Sequence, residues 1–194
     1  MLREERVDAA RNRQGILDAA DRLFSETSAP EKISMEDIAR AAGLGKGTLF
    51  RRFGDRATLI RSVYARRVEP LRRQIESGPP PLGPAAPRRD RVVAILAAIA
   101  QLKIENTHLA LALEGGDFAG STSVYSSPSY RDVHQLLTSL LDSDLGPGAR
   151  WTAHALLATV RADLVRHLVE EEGMNGPELR ERIAWMIETI LPSG

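Results

Sequence analysis

The 194-residue sequence predicts an all-α chain. Three observations carry that prediction. Apolar residues recur at three- and four-residue spacings through most of the chain, as on one face of a helix, and no run sustains the alternation of a half-buried strand. Start signals, Ser34 with Asp37 and Ser127 with Pro128, stand immediately before such runs. Clusters of glycine and proline separate them. The expected architecture is an N-terminal three-helix domain over residues 1–54, a connecting helix and Pro-rich segment over 55–87, and a second helical domain over 88–194, about nine helices in all.

Each element has a local reason. The first helix is expected from about Asp8 to Glu26, with Ile16, Ala20, Leu23 and Phe24 on one face. Ser34 and Asp37 form a capping box ahead of Met35, Ile38 and Ala42, and Gly43 supplies a left-handed stop. The third helix opens near Gly45 or Lys46. Leu49 and Phe53, four apart, point inward together and leave Lys46, Gly47, Thr48, Arg51 and Arg52 outward. Asp55 caps a fourth helix carrying Leu59, Ile60, Val63 and Tyr64, which runs past Pro70 towards Ile75. A kink is expected between Arg66 and Pro70, because proline removes a helix hydrogen bond and clashes with the carbonyl four residues back. Residues 77–87, SGPPPLGPAAP, read as a semi-rigid linker. The fifth helix, from Arg88, contains VVAILAAIAQL and is expected to be buried on most sides. Gly115-Gly116 ends a sixth, and a polar loop leads to Ser127. The seventh runs to about Leu141, closed by Gly146-Pro147-Gly148. Residues 149–172 and 177–191 read as two long amphipathic helices joined by a tight turn.

Composition narrows the function classes. Formal net charge is zero, yet residues 1–78 carry 16 Lys and Arg against 12 Asp and Glu, while 79–194 carry 10 against 14. A basic first part and an acidic second part suit nucleic-acid binding by the first alone. There is no cysteine, hence no disulfide, thiolate metal site or thiol nucleophile. The charged start does not resemble a signal peptide, and no apolar run approaches the roughly 20 residues that span a bilayer. A cytoplasmic protein without membrane partner is expected. No phosphate-cradling glycine loop, HExxH or Gly-x-Ser-x-Gly motif is present. Glu105 and His108 form one Glu-x-x-His pair, but di-iron bundles need two with further carboxylates. No catalytic residue, metal or cofactor is therefore expected.

Two short helices at a steep angle, with cations and a hydroxyl on the second, are the helix-turn-helix device for entering a major groove. The run from Gly43 to Phe53, GLGKGTLFRRF, followed by Asp55-Arg56-Ala57-Thr58-Leu59, resembles the recognition helix and following turn of the tetracycline-repressor (TetR) family. Gln14 to Ala20 and Leu23-Phe24 resemble that family's first helix, so the resemblance covers roughly residues 10 to 65. Three positions depart from the pattern: Gly45 where serine is common, Phe50 where tyrosine is common, and Arg52 where histidine is common. Lys46 could donate to guanine O6 and N7, Gly47 would let backbone approach the bases, and Phe50 could meet a thymine methyl. The resemblance implies phosphate contacts for Thr48, Arg52 and Arg56. Ser34 and Arg51 complete the expected DNA-binding set. Arg3, Arg6, Arg11 and Arg13 are either an arm towards the minor groove or a frayed terminus.

In the resembled family the final helix pair meets its copy as a four-helix bundle. The corresponding expectation is a homodimer through Leu157, Val160, Leu164, Leu168, Ile183, Met186, Ile187 and Ile190. A small-molecule effector site is expected among Ile99, Leu102, His108, Leu109, Leu113, Phe118, Tyr125, Tyr130, His134, Trp151 and His154, which are mostly apolar or aromatic with a few polar tips. The expectation as a whole is a regulator of transcription that binds a palindromic operator in double-stranded DNA as a dimer, a repressor released by an effector. Two alternatives stand beside it: a DNA-binding dimer with no effector, and an enzyme with an appended DNA reader.

Overall fold

The computed structural model describes residues 2–26, 30–115 and 124–191, with the backbone alone at residues 2–10 and Glu31. Among the described residues it contains ten α-helices, three short 3-10 turns and no strand. The chain divides into two compact units, Met1–Arg67 and Val68–Gly194.

The first unit holds α1 (Leu2–Glu26), α2 (Met35–Ala41), α3 (Lys46–Phe53) and the first half of α4 (Arg56–Ser77). Its core is Ile16, Ala20 and Phe24 of α1, Ile38 of α2, Leu49 and Phe53 of α3, and Leu59, Ile60 and Val63 of α4, all buried. Each large aliphatic among them contributes roughly 1.5–3 kcal/mol by leaving water. The expected capping box is formed. The Asp37 amide donates to Ser34 Oγ at 3.1 Å, and the Ser34 amide donates to the Asp37 carboxylate at 3.0 Å. Gly43 has φ of 67°, the left-handed conformation that a turn after α2 requires. The Leu44 amide then reaches back to the Ala39 carbonyl at 2.9 Å. At the start of α4 the Thr58 amide donates to Asp55 Oδ1 at 2.6 Å, as expected of an N-cap. Arg67 Nε donates to Asp21 Oδ1 at 2.6 Å and Arg66 to Asp18 at 2.7 Å, tying α4 to α1.

The second unit continues with the rest of α4, then α5 (Arg88–Glu105), α6 (Thr107–Glu114), α7 (Pro128–Leu145), α8 (Ala149–Thr159), α9 (Ala162–Glu170) and α10 (Gly176–Ile190). Helix α5 is central and packs on α7, α9 and α10. Val92, Ile95 and Leu96 of α5 meet Leu137 and Leu141 of α7, Leu156 of α8 and Ile187 of α10 in one buried cluster. Ser127 caps α7 as expected, accepting from the Tyr130 amide, with Pro128 in the first turn. Asn175 and Glu178 form a second capping box at α10. Helix α4 is continuous through Pro70.

Two expectations are corrected. Residues 77–87, expected as a semi-rigid linker, are instead packed onto the core of the second unit. Leu82 packs against the core and Ala86 is buried. The buried Arg91 binds the segment by donating to the carbonyls of Leu82 at 2.9 Å and Ile75 at 2.8 Å. A Cβ on Gly83 would run into the Gly78 carbonyl oxygen, so this turn closes on glycine. Residues 149–172 are not one helix. The backbone breaks at Val160-Arg161, where Lys103 of α5 donates to the Val160 carbonyl at 2.6 Å and Glu114 of α6 accepts from the Ala162 amide at 2.8 Å. The cation meets the negative end of α8 and the anion the positive end of α9.

Candidate nucleic-acid interface

Helix α3 is held from inside by Leu49, fully buried, and Phe53, 4% exposed. That anchoring turns Lys46, Gly47, Phe50, Arg51 and Arg52 to solvent together, with Thr48 half-buried beside them. Gly45 is the N-cap and offers no side-chain acceptor, so the first amides of α3 look outward unsatisfied by a cap. The Thr48 amide bonds the Gly45 carbonyl at 2.9 Å. A Cβ built on Gly47 meets nothing within 4 Å, so glycine is not required there by the fold. Phe50 leaves 40% of its surface exposed, an unusual amount for a large apolar ring. A row of cations, an exposed ring and a bare backbone on one helix is the chemistry that meets phosphates and base edges.

Other expected DNA residues are placed differently. Arg56 turns inward, donating from Nε to the Ile33 carbonyl at 3.0 Å and from Nη2 to the Pro30 carbonyl at 2.7 Å. These bonds fix the turn that leads into α2. Ser34 spends its hydroxyl on Asp37 at 2.6 Å. That bond, then the one from the Ser34 backbone amide, holds the Asp37 carboxyl below the usual range, with Arg40 adding a smaller pull. Arg13 lies over the Phe53 ring at 4.7 Å and reaches Ser62 Oγ at 3.4 Å, within a helix that starts at Leu2, so it braces the core of this unit and is no arm. The side chains of Arg3 and Arg6 lie outside the described residues. Sequence reasoning missed Glu36, whose carboxylate stands 3.5 Å from Lys46 Nζ across the α2–α3 turn. Its position two residues after a capping serine, in the first turn of α2, was the available signal.

In the second unit the expected effector residues do not gather at one place. Tyr130, His134 and His154 form a stacked cluster, with the two imidazoles 3.8 Å apart between centroids. Tyr130 Oη lies 2.7 Å from His154 Nδ1, and His134 Nε2 lies 3.1 Å from the Arg150 carbonyl. Tyr125 packs edge-on against Tyr130. Burial, then the neighbouring His134 and Arg150, lowers the pKa of His154, and burial raises that of Tyr130. Trp151, by contrast, is 74% exposed and His108 is exposed, so neither is enclosed by its own chain. Leu109 is buried, while Ile99, Leu102 and Leu113 are half-buried. Phe118 lies outside the described residues. Among the described residues no group of three metal-ligating side chains assembles, and Glu105 accepts from Gln101 at 2.9 Å.

The expected dimer residues also separate into two groups. Leu157, Val160, Ile183 and Ile187 are buried by their own chain, with at most 8% of any residue's surface left exposed. Their helices are apolar on more than one side, and these four residues lie on the side that meets the chain's own core. Leu168, Met186 and Ile190 are half-buried, and Leu164 is 39% exposed. Trp185, not foreseen, is 67% exposed on α10.

Among the described residues no single helix is long and apolar enough to cross a membrane. Residues 16–63 match the family model described as bacterial regulatory proteins, tetR family. An HTH-type transcriptional regulator of Staphylococcus aureus strain USA300 is 28% identical over 168 residues, covering 85% of this chain and 86% of that protein. A transcriptional regulator from Rhodococcus sp. Rha1 shares the fold with a TM-score of 0.67 at 18% identity, over 92% of this chain and 95% of that one. NalD of Pseudomonas aeruginosa, described as the secondary repressor of the MexAB-OprM multidrug efflux pump, does so with a TM-score of 0.56 at 20% identity, over 94% and 96%. These relatives are described as regulators of transcription. Residues 16–63 thus match the helix-turn-helix of the tetR family model, and over most of its length the chain is similar to regulators of transcription.

Proposed function

We propose that this regulator is a cytoplasmic repressor that binds a palindromic operator as a homodimer and leaves it when a small molecule binds the second unit. One observation carries the reading: Leu49 and Phe53 lock α3 so that Lys46, Gly47, Phe50, Arg51 and Arg52 share its outer face. Lys46, Gly47 and Phe50 read bases, Thr48 and Arg52 hold phosphates, and Arg51 serves either role. A single short helix covers few base pairs, so two copies related by a two-fold axis supply the rest of the site. Exposed Trp185 and Leu164, on the last helices, support a partner-facing surface there. The effector half of the reading is supported by the Tyr125, Tyr130, His134 and His154 cluster, where aromatic faces and polar tips converge. NalD, a repressor that shares the fold, supports this direction of regulation.

The experiment is a binding titration on duplex DNA at several salt concentrations. Arg52→Ala should weaken binding to every sequence and reduce the slope of log affinity against log salt by about 1. Unchanged affinity and slope in Arg52→Ala and Arg51→Ala together would show that α3 does not face the duplex.

A further inference from the structure

The Lys46 and Glu36 side chains put a donor and an acceptor 3.5 Å apart at the head of α3, and both are more than half exposed. Lys46 opens α3, and Glu36 sits in the first turn of α2, so the pair bridges the two helices of the reading unit. A surface ion pair of this length contributes little to stability. Its chemistry is more telling. Non-specific DNA binding is driven by phosphate neutralisation, which a carboxylate opposes. An acid beside the leading cation of a reading helix therefore carries a cost in general affinity, and a base-pair contact can offset it.

The major-groove edge of a G·C pair offers the matching arrangement. Guanine presents O6 and N7 as acceptors, and cytosine presents the N4 amino group as donor. O6 and N4 are Watson–Crick partners and so lie at hydrogen-bond distance, about 2.9 Å apart. We propose that Lys46 and Glu36 act together as a reader of one G·C pair in each half-site, Lys46 Nζ donating to guanine O6 and N7 while Glu36 accepts from the free N4 hydrogen of cytosine. A T·A pair also sets an acceptor beside a donor, but a methyl group flanks thymine O4 where guanine has N7. Reversing the pair to C·G places the amino group against the ammonium and O6 against the carboxylate. Glu36 is thus a specificity-determining residue, and its charge lowers affinity for every other sequence.

The proposal rests on α3 being the base-reading helix, and one experiment separates the two claims. The purified full chain selects from a randomised duplex pool, as wild type and as Lys46→Ala, Glu36→Ala, Glu36→Gln and Arg52→Ala. Wild type should enrich G·C at one position of each half-site. Both Lys46→Ala and Glu36→Ala should lose about ten-fold of discrimination at that same base pair, leaving the other positions of the site intact. Glu36→Gln, which keeps the shape and an acceptor, should lose less than Glu36→Ala, and it stands in for alanine if that variant does not fold. Substituting 7-deazaguanine at the selected guanine should weaken wild type and leave Lys46→Ala unaffected. If Glu36→Ala selects the wild-type sequence and binds all duplexes more tightly, Glu36 only repels phosphate and the paired reading is overturned. If the pool yields no sequence, or Arg52→Ala and Lys46→Ala both behave as wild type, the assignment of α3 fails and the paired reading with it.

Discussion

Lys103 Nζ and Glu114 Oε1 meet at 2.6 Å, with side chains only 12% and 13% exposed, and together they grip both sides of the α8–α9 break. Truncating one partner leaves a nearly buried charge alone. Lys103→Met should therefore destabilise the chain by about 3 kcal/mol. Lys103→Met with Glu114→Gln keeps an acceptor for the Ala162 amide and should recover most of that loss. Urea midpoints at unchanged m would report both, and equal losses in single and double variants would argue against the clasp.

Gly47 separates fold from function. No atom stands near its missing Cβ, so Gly47→Ala should stabilise α3 by about 0.5–1 kcal/mol. The same methyl would stand between backbone and bases, and operator affinity should fall. A thermal melt and a binding titration on one preparation measure the two effects; gains in both would remove Gly47 from the contact surface.

Trp185 and Leu164 distinguish an interface from a core. Trp185→Glu and Leu164→Glu place charge on exposed positions and should leave the helical content intact while giving a monomer by sedimentation. Ile187→Glu should unfold the second unit whatever the oligomeric state, since Ile187 has no exposed surface. A Trp185→Glu, Leu164→Glu double variant that still sediments as a dimer at micromolar concentration places the interface elsewhere.

Much of this was legible in the sequence where the cause is local. The Ser34–Asp37 box, the Gly43 turn, the inward Leu49 and Phe53 and the Ser127 cap depend on residues within four positions of one another. What escaped is set from a distance. The break at Val160 is made by Lys103 and Glu114, which are remote in the chain. The packing of residues 77–87 depends on Arg91, whose place in the apolar stripe with Ile95 was the available sign. Arg56 and Arg52 look alike as sequence, yet carbonyls at Pro30 and Ile33 draw the first inward. On α10 the apolar residues Ile183, Trp185 and Ile187 span more than one face, so spacing could not say which side the core would take.

The His154 imidazole predicts an acid-side loss of stability. Its pKa is lowered in the folded chain by burial first, then by His134 and Arg150, so the unfolded chain binds the proton more readily. Its contribution is therefore present above the ordinary imidazole range and declines as pH falls below about 6.5. Asp55, lowered by the Thr58 amide, then by the Thr58 hydroxyl, and Asp37, lowered by Ser34, follow the same sign at more acid pH, where carboxylates protonate. Denaturant midpoints between pH 8 and about 4.5 should drop in wild type and flatten in His154→Asn. An equal drop in both would place the titrating group elsewhere.

The most direct test of α3 as a two-fold reader is the sequence that the purified chain selects from random duplex DNA. The selected sites should form an inverted repeat whose half-site centres lie about one helical turn apart or a multiple of it, roughly 34–36 Å per turn, and Lys46→Ala should relax one position in each half. Enrichment of single, unrepeated sites, or of none, would contradict the dimeric recognition mode.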